Sequence, residues 1–326
     1  MGKLAFMFPG QASQAPGMGK DLAEKFPAAR AVFDEADRVL GFPVSRMCFE
    51  GTEEELKQTA NTQPAILTVS VAAYRVLVGP DGGQGIKPDF VAGHSLGEYS
   101  ALVAAGALSF EDALQLVRKR GIFMQEAVPV GEGAMAAIMG LSPAQVGEIC
   151  KRAGEGMVVS AANLNTPTQT VISGHATAVK RAVELASQEG AKRAVVLAVS
   201  APFHCSLMQP TRMRMEPELR SVNFSDLKIP LVTNTDAEII TNGSEAREAL
   251  IRQITLPVRW EESIRELIEQ GTTTFVEVGP GRVLSGLLRQ IDRSVHSLNV
   301  EDAKSFQAAL DRLVQIRGEE TEVEAS

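Results

Sequence analysis

A serine that could act as a nucleophile lies in the pentapeptide Gly93-His94-Ser95-Leu96-Gly97. This is the pattern G-x-S-x-G, in which the serine occupies a sharp turn between a strand and a helix. Such a turn holds the hydroxyl at the helix N-terminus, where amide groups and the helix dipole stabilise developing negative charge. The motif follows an apolar segment, 89–92, and precedes an alanine-rich segment, 98–106. This context favours a nucleophile elbow over a turn with a capping serine.

A serine nucleophile requires a general base, and the chain contains four histidines. His94 adjoins Ser95, and neighbouring side chains in a tight turn point apart. His175 opens a predicted helix, where a capping role explains it, and His296 lies in the C-terminal region. His204 remains, within an uncharged segment. A histidine in apolar surroundings is more often a structural core residue, so the residues alone leave both roles of His204 open.

The third member of a catalytic triad is not visible in the sequence. In α/β-hydrolases the order is serine, acid and then a histidine near the C-terminus, whereas His204 lies in the middle of this chain. None of the carboxylates between Ser95 and His204 belongs to a motif. Either the acid cannot be recognised from sequence, or a neutral acceptor orients the imidazole.

The segments around these residues alternate between apolar strands and helices, which is typical of an α/β sheet. A strand is predicted at Lys3–Phe8, before Pro9-Gly10, and helices are predicted at 63–78 and 110–127. The middle of the chain differs, because its predicted elements follow the order strand, helix, strand, strand, helix, strand. The order βαββαβ indicates a ferredoxin-like unit.

These patterns predict two subdomains. Residues 1–127 and 201–317 form a large α/β-hydrolase-like subdomain that carries the serine motif, and residues 128–200 form an inserted ferredoxin-like subdomain. The active site is expected in the cleft between them. Residues 318–326 are predicted to be an acidic, disordered tail. The length of 326 residues, at about 150 residues per domain, agrees with two compact units.

Composition excludes several functional classes. The formal net charge is −8, and four glutamates of the tail supply half of it, which argues against a nucleic-acid partner. The long uncharged segments are interrupted by polar residues, so no membrane span is expected. Three cysteines lie far apart without a CxxC pair, which favours a reducing cytoplasm over disulfides. No spacing of metal ligands appears, so neither a metal site nor a permanently bound cofactor is expected.

Several further elements occur in a fixed order and, with the serine motif, resemble malonyl-CoA:acyl-carrier-protein transacylases. They are Phe8-Pro9-Gly10-Gln11-Ala12-Ser13-Gln14, Glu98-Tyr99-Ser100, Arg120-Gly121 with Met124-Gln125, Gly133-Ala134-Met135, Asn163-Leu164-Asn165, Pro202-Phe203-His204 and Gly279-Pro280-Gly281. The resemblance extends to about residue 315 and includes the acyltransferase domains of polyketide synthases, which share the fold. It implies an enzyme that supplies malonyl groups to fatty-acid or polyketide synthesis.

The resemblance assigns roles to particular residues. Ser95 is implied to be the nucleophile that takes the malonyl group as an ester. His204 is implied to be its general base and then the acid for the leaving thiol. The backbone N–H groups of Gln11 and Leu96 are implied to form the oxyanion hole, which explains why a glycine-containing turn follows the first strand.

Two supporting residues follow from the same resemblance. The side chain of Asn163 is implied to steady the hydrogen bonds of the active site. The backbone carbonyl of Gln253 is implied to orient the imidazole of His204, and this would account for the missing acid.

Arg120 matches the family arginine that pairs with the free carboxylate of malonate. A guanidinium suits this role because its planar fork binds a carboxylate through two parallel hydrogen bonds. Losing one partner of such a buried pair costs on the order of 2–5 kcal/mol, enough to select malonyl over acetyl groups by about 100-fold or more. The other interpretation is a solvated helix charge, which fits the neighbouring Arg118 and Lys119 better than it fits Arg120.

The implied reaction is ping-pong acyl transfer between two partners. Malonyl-CoA acylates Ser95, CoA leaves, and the phosphopantetheine thiol carried by an acyl carrier protein takes the malonyl group. Carrier proteins of this kind are acidic, so a local basic patch is expected despite the negative net charge. We predict a docking face at Lys180, Arg181, Lys192 and Arg193, for which ordinary solvated charge is an equally good explanation. The chain is expected to act as a monomer.

Two alternatives come from other functional classes. A serine esterase or thioesterase on a related fold would use the same elbow, but Arg120 and the missing triad acid argue against it. A non-catalytic binding subunit is disfavoured because Ser95, His204 and Arg120 are all present. Within the family, preference for another acyl group such as methylmalonyl stays open.

Overall fold

The computed structural model describes residues 2–80, 86–199 and 201–324. Their strands are β1 (Lys3–Phe8), β2 (Phe90–Gly93), β3 (Gly133–Met139), β4 (Val159–Thr166), β5 (Gln169–His175), β6 (Arg193–Val196), β7 (Leu231–Val232), β8 (Ile239–Ile240), β9 (Thr272–Val278) and β10 (His296–Val300). Their helices are α1 (Lys20–Lys25), α2 (Pro27–Leu40), α3 (Val44–Glu50), α4 (Glu53–Lys57), α5 (Thr59–Val78), α6 (Gly97–Ala104), α7 (Phe110–Glu126), α8 (Pro143–Gly154), α9 (Ala176–Gln188), α10 (Gln209–Ser221), α11 (Gly243–Gln253), α12 (Trp260–Glu269), α13 (Val283–Ile291) and α14 (Ala303–Glu324).

The larger sheet has the strand order β10-β9-β1-β2-β7-β8, and only the β7–β8 pair is antiparallel. Strand β1 lies at its centre, and every residue from Leu4 to Phe8 is buried. A central parallel strand is covered on both faces by helices, which is why its sequence is a continuous apolar run rather than an alternating one. The predicted strand at Lys3–Phe8 is confirmed, as is the α/β class.

The smaller sheet has the order β4-β5-β3-β6, with all neighbouring strands antiparallel. The chain passes through it as β3, α8, β4, β5, α9 and β6, so the predicted ferredoxin-like unit is confirmed. Its strands run from Gly133 to Val196. We propose the subdomain boundaries 128–200 on this basis, with Ser200 itself outside the described residues.

The edge strand β4 joins the two subdomains. Val258, in the segment between α11 and α12, donates its N–H to the carbonyl of Ala162 at 2.8 Å and accepts the N–H of Leu164 at 2.8 Å. A backbone bridge of this kind fixes the small sheet against the segment that follows Gln253.

Close backbone contacts hold the turn after β2. A methyl group on Gly97 would lie 2.0 Å from the carbonyl oxygen of Phe8, and one on Gly93 would lie 2.0 Å from the carbonyl carbon of Gly97. Real Cβ atoms do not tolerate such distances, so both glycines of the serine motif are required for α6 to pack directly on β1 and β2.

The C-terminal segment differs from its prediction. Helix α14 continues to Glu324, so residues 318–324 are helical rather than a disordered tail, and residues 325 and 326 lie outside the described residues. Continuing an existing helix needs only one hydrogen bond for each residue fixed, and glutamate is a good helix former. Across the described ranges, the helices are all too short or too polar to cross a membrane.

Candidate active site

Ser95 occupies the turn between β2 and α6 with a positive backbone φ of 53°. A non-glycine residue rarely adopts this left-handed conformation, and such strain concentrates at functional sites. The N–H of Gly97 closes the turn by donating to the carbonyl of His94 at 2.9 Å. The predicted arrangement of strand, sharp turn and helix therefore describes the local structure correctly.

Asn234, which follows the neighbouring strand β7, fixes this turn through two hydrogen bonds. Its Oδ1 accepts the N–H of Ser95 at 2.7 Å, and its Nδ2 donates to the carbonyl of Gly93 at 2.6 Å. The residue is fully buried just after the two-residue strand β7. Sequence reasoning missed Asn234 because so short a strand has no recognisable pattern, although the carboxyl ends of parallel strands do meet at one edge.

The Ser95 hydroxyl and the His204 imidazole form a hydrogen bond, with 2.7 Å between Oγ and Nε2. On its other side, His204 Nδ1 lies 2.8 Å from the backbone carbonyl of Gln253. Because a carbonyl only accepts, Nδ1 carries the proton, and Nε2 is free to accept from the serine. The Gln253 carbonyl therefore lies where the resemblance implied, beside His204 Nδ1. Among the described residues, no carboxylate contacts the imidazole of His204.

Burial holds the imidazole of His204 in its neutral form. The pKa of His204 is lowered to about 3, chiefly because the ring is removed from water, and secondly because the positive charge of Arg120 lies nearby. The imidazole is consequently an unprotonated acceptor at neutral pH.

Arg120, on α7, is 2% exposed and lies beside the serine. Its Nη2 donates to Ser95 Oγ at 3.1 Å and to Gln253 Oε1 at 2.9 Å, and its Nη1 donates to Gln63 Oε1 at 2.9 Å. Its buried Nε has no acceptor within the described ranges. The interpretation of Arg120 as a solvated helix charge is thus wrong: the guanidinium is buried among neutral acceptors, and its Nε–H is unused.

Gln253 contacts Ser95, His204 and Arg120. Besides accepting from His204 and Arg120, it donates from Nε2 to the carbonyl of Ser95 at 3.0 Å and to Glu98 Oε2 at 2.9 Å. The sequence resemblance pointed only to its backbone carbonyl. Its side-chain role, and those of Gln63 and Glu98, depend on contacts between distant segments that no local pattern reveals.

Gln11 and Leu96 border the cavity next to Ser95. Among the described residues, neither backbone N–H donates a hydrogen bond to the protein. A methyl group on Gly10 would lie 2.4 Å from the carbonyl oxygen of His94, so only glycine lets this loop approach the elbow so closely. Two unused amides beside the serine match the requirements of an oxyanion hole.

The two asparagines of β4, Asn163 and Asn165, differ in the hydrogen bonds that they make. Asn165 Oδ1 lies 2.9 Å from His94 Nε2, so His94 is engaged away from the serine as predicted. Asn163 borders the cavity, but its buried Oδ1 has no hydrogen-bond partner in the described part of the chain. Among the described residues, the side-chain hydrogen bond to the serine motif thus comes from Asn165 and not Asn163, and the role implied for Asn163 stays a prediction. His175 is an N-cap by position only, because its Nδ1 accepts the N–H of Val158.

The four predicted docking residues lie on the small subdomain, away from Ser95. Lys180, Lys192 and Arg193 are exposed. Arg181 instead donates to the carbonyls of Ala153 and Gly154 at 2.9 and 3.0 Å, so its guanidinium is engaged at the C-terminus of α8.

A cavity of about 300 Å³ contains the serine and is lined by both subdomains. Its polar end has Ser95, Arg120 and His204, and its apolar walls come from β3, β5 and α13. A second cavity, of about 430 Å³, surrounds Arg118 and Phe42 and contains none of the predicted site residues. The predicted catalytic residues Ser95, Arg120 and His204 therefore share the first cavity, in the cleft between the two sheets.

Comparison with protein families gives a match to the acyl transferase domain over residues 5–310. The malonyl CoA-acyl carrier protein transacylase of Bacillus subtilis is 50% identical over 314 residues, covering 96% of this chain and 98% of that protein. The protein of the same name from Escherichia coli K12 is 46% identical over 311 residues, covering 95% of this chain and all of that protein.

Solved structures give the same result. The malonyl CoA-acyl carrier protein transacylase of Coxiella burnetii has a TM-score of 0.93 and 45% identity, covering 96% of this chain and 98% of that one. A malonyl-transacylase in complex with a type II PKS acyl-carrier protein has a TM-score of 0.92 and 44% identity, covering 95% of this chain and 99% of that one.

We expect the His204 imidazole to remain neutral as the pH falls from 8 to about 4, because burial and Arg120 lower its pKa to about 3. NMR of histidine-labelled protein measures this directly, and His204→Asn identifies the resonance. A titration midpoint near 6.5 that disappears in His204→Asn would contradict the assignment.

Proposed function

The chain belongs to the acyl transferase domain family, and we propose that Ser95, His204 and Arg120 carry out its reaction. That reaction moves a malonyl group from malonyl-CoA to the phosphopantetheine thiol of an acyl carrier protein, for fatty-acid or polyketide synthesis. One observation carries the residue assignment: a continuous hydrogen-bonded chain runs from the Gln253 carbonyl through His204 to Ser95 Oγ and on to Arg120.

In the first half-reaction, Ser95 Oγ attacks the thioester carbonyl carbon of malonyl-CoA while His204 Nε2 takes the hydroxyl proton. The carbonyl oxygen gains negative charge and is stabilised by the backbone N–H groups of Gln11 and Leu96. The carbon–sulfur bond then breaks, and the imidazolium of His204 gives its proton to the departing CoA sulfur. The products are a malonyl-serine ester and free CoA.

The second half-reaction reverses these roles. His204 Nε2 takes the proton of the carrier protein's thiol, the sulfur attacks the ester carbonyl, and the oxyanion occupies the same two N–H groups. Collapse of the intermediate breaks the ester bond, and His204 returns the proton to Ser95 Oγ.

A neutral acceptor behind the histidine suits this chemistry. The Gln253 carbonyl fixes the tautomer and orientation of His204, which are the functions of the triad acid, without adding a negative charge. A thiolate leaves more readily than an amine, so a strongly basic imidazole is unnecessary. The low pKa of His204 favours prompt return of the proton to the leaving group or to the serine.

Arg120 provides the selection for malonyl groups. The buried guanidinium has an unused Nε–H, and its three hydrogen bonds all go to neutral oxygens, so a malonyl carboxylate entering the cavity offers the ionic partner that it lacks. An acetyl group leaves this charge unpaired. A simple esterase has no use for such a cation, which is why hydrolysis is disfavoured as the activity.

The remaining proposals concern partner and compartment. A carrier protein is the partner, supported by the relative whose structure contains one, and the exposed bases Lys180, Lys192 and Arg193 form the docking face with Arg181 at its margin. We also propose that the chain acts as a monomer. Three buried free cysteines suit a reducing cytoplasm.

Replacing Arg120 by methionine should lower kcat/KM for malonyl-CoA by about 100-fold while changing that for acetyl-CoA much less, because only malonate needs a cation. Transfer of labelled acyl groups to holo acyl carrier protein measures both. The matched control is Arg118→Met, since Arg118 lies on the same helix and binds Ala60 and Asn61 instead. Equal losses for both substrates would refute the role of Arg120, and release of free malonate faster than transfer would support the esterase.

Reversing two docking charges, in Lys192→Glu/Arg193→Glu, should raise KM for the acidic carrier protein about tenfold and leave acylation by malonyl-CoA unchanged. The control is Lys20→Glu/Lys304→Glu, which reverses two exposed charges outside the small subdomain. If the transfer rate depends on carrier-protein concentration in the same way in the unmodified chain, the docking variant and the control variant, the proposed docking face is wrong.

A further inference from the structure

A second ionisable side chain is completely buried behind the nucleophile. Glu98, on the first turn of α6, has no exposed surface. Its Oε2 accepts the N–H of Asn234 at 3.1 Å and Gln253 Nε2 at 2.9 Å, whereas its Oε1 has no hydrogen-bond partner among the described residues. Buried carboxyl groups are rare unless they are paired, and the reaction steps above do not use this one.

The Gln253 amide links Glu98 to Arg120. The guanidinium can only donate and a carboxylate can only accept, so the amide must present Oε1 to Arg120 and Nε2 to Glu98. The result is a buried cation and a buried acid joined through one neutral amide. Arg120 has no ionic hydrogen-bond partner among the described residues, so Glu98 is the acid that can balance its charge.

We propose that Glu98 is the internal counter-charge of Arg120, and that it determines how strongly this arginine selects acyl groups with a free carboxylate. The inference rests on the proposed role of Arg120 in binding malonate. Glu98 is a positioning residue, because it acts through Gln253 and Arg120 and does not border the cavity.

The two charge states of Glu98 present different fields to the substrate. When Glu98 is ionised, a malonyl carboxylate entering beside Arg120 meets a cation that is already partly balanced, and two like charges share one buried site. When Glu98 is neutral, the full field of Arg120 acts on the malonyl carboxylate. In a buried site these charges interact far more strongly than in water, so the two states differ in malonyl affinity.

Glu98 changes between its neutral and ionised forms near neutral pH, so both forms can be studied. Burial raises the pKa of Glu98 to about 7, against the lowering effect of its hydrogen bonds and of Arg120, and Asp236 raises it further. The other facing groups do not change charge there: Tyr99 has a pKa of about 12 and His204 of about 3, and Asp236 is paired with Arg252. The proton of neutral Glu98 has room on Oε1, so the bonds accepted by Oε2 persist in both states.

The test is the ratio of kcat/KM for malonyl-CoA to kcat/KM for acetyl-CoA, measured from pH 6 to 8.5. Ionisations of the serine and histidine affect both substrates and cancel in this ratio. In the unmodified chain the ratio should fall by on the order of tenfold as the pH rises through the pKa of Glu98. In Glu98→Gln, which keeps the shape and an acceptor oxygen, it should stay at the low-pH value throughout.

The control variant is Glu277→Gln. Glu277 is also fully buried with a raised pKa, but it binds Leu284 and Ser285 rather than the Arg120 network, so this variant should keep the pH dependence. A ratio that does not change with pH in the unmodified chain overturns the proposal even if Glu98→Gln does not fold. The same slope in Glu98→Gln also overturns it. If malonyl-CoA is not preferred at any pH, the role of Arg120 itself fails, and the inference fails with it.

Discussion

The buried guanidinium of Arg120 is the constraint around which the cleft is organised. A cation removed from water is costly unless other groups compensate for it, and here the compensation comes from separate elements. Helix α5 supplies Gln63, α11 supplies Gln253, and the elbow supplies Ser95. No carboxylate within the described ranges bonds directly to the guanidinium, so its strongest potential partner is an anionic substrate. In the proposed reaction, the malonyl carboxylate completes an interaction that the fold leaves open.

His204 is likewise oriented by a neutral group and not by a carboxylate. A triad carboxylate beside His204 would place another anion near Arg120, in addition to Glu98, and compete with the substrate for it. The Gln253 carbonyl orients His204 without that competition, and the low pKa of the imidazole is acceptable because thiols are good leaving groups. Gln253 therefore contacts both the proposed proton relay and the proposed carboxylate site. The positive φ values at Ser95 and His204 show that the fold holds both reacting groups in constrained conformations.

Local patterns predicted much of this arrangement, and long-range contacts account for the rest. The strand periodicity identified the ferredoxin-like unit, and the motifs identified Ser95, with the resemblance adding His204 and Arg120. Asn234 was missed because it lies 139 residues from the serine whose N–H it accepts, after a strand of only two residues. Asn165 could be recognised only as part of a motif, since its partner His94 lies on the other sheet's elbow. Such contacts depend on topology, which local sequence does not encode.

We propose above all that Ser95 carries the acyl group and that the buried Arg120 selects it. Intact-protein and peptide mass spectrometry, after mixing the chain with equal concentrations of malonyl-CoA and acetyl-CoA and no carrier protein, tests both parts at once. We expect a malonyl adduct on the peptide that contains Ser95, with little acetyl adduct. An acetyl adduct in equal or greater amount, or a malonyl group on another residue, would contradict it.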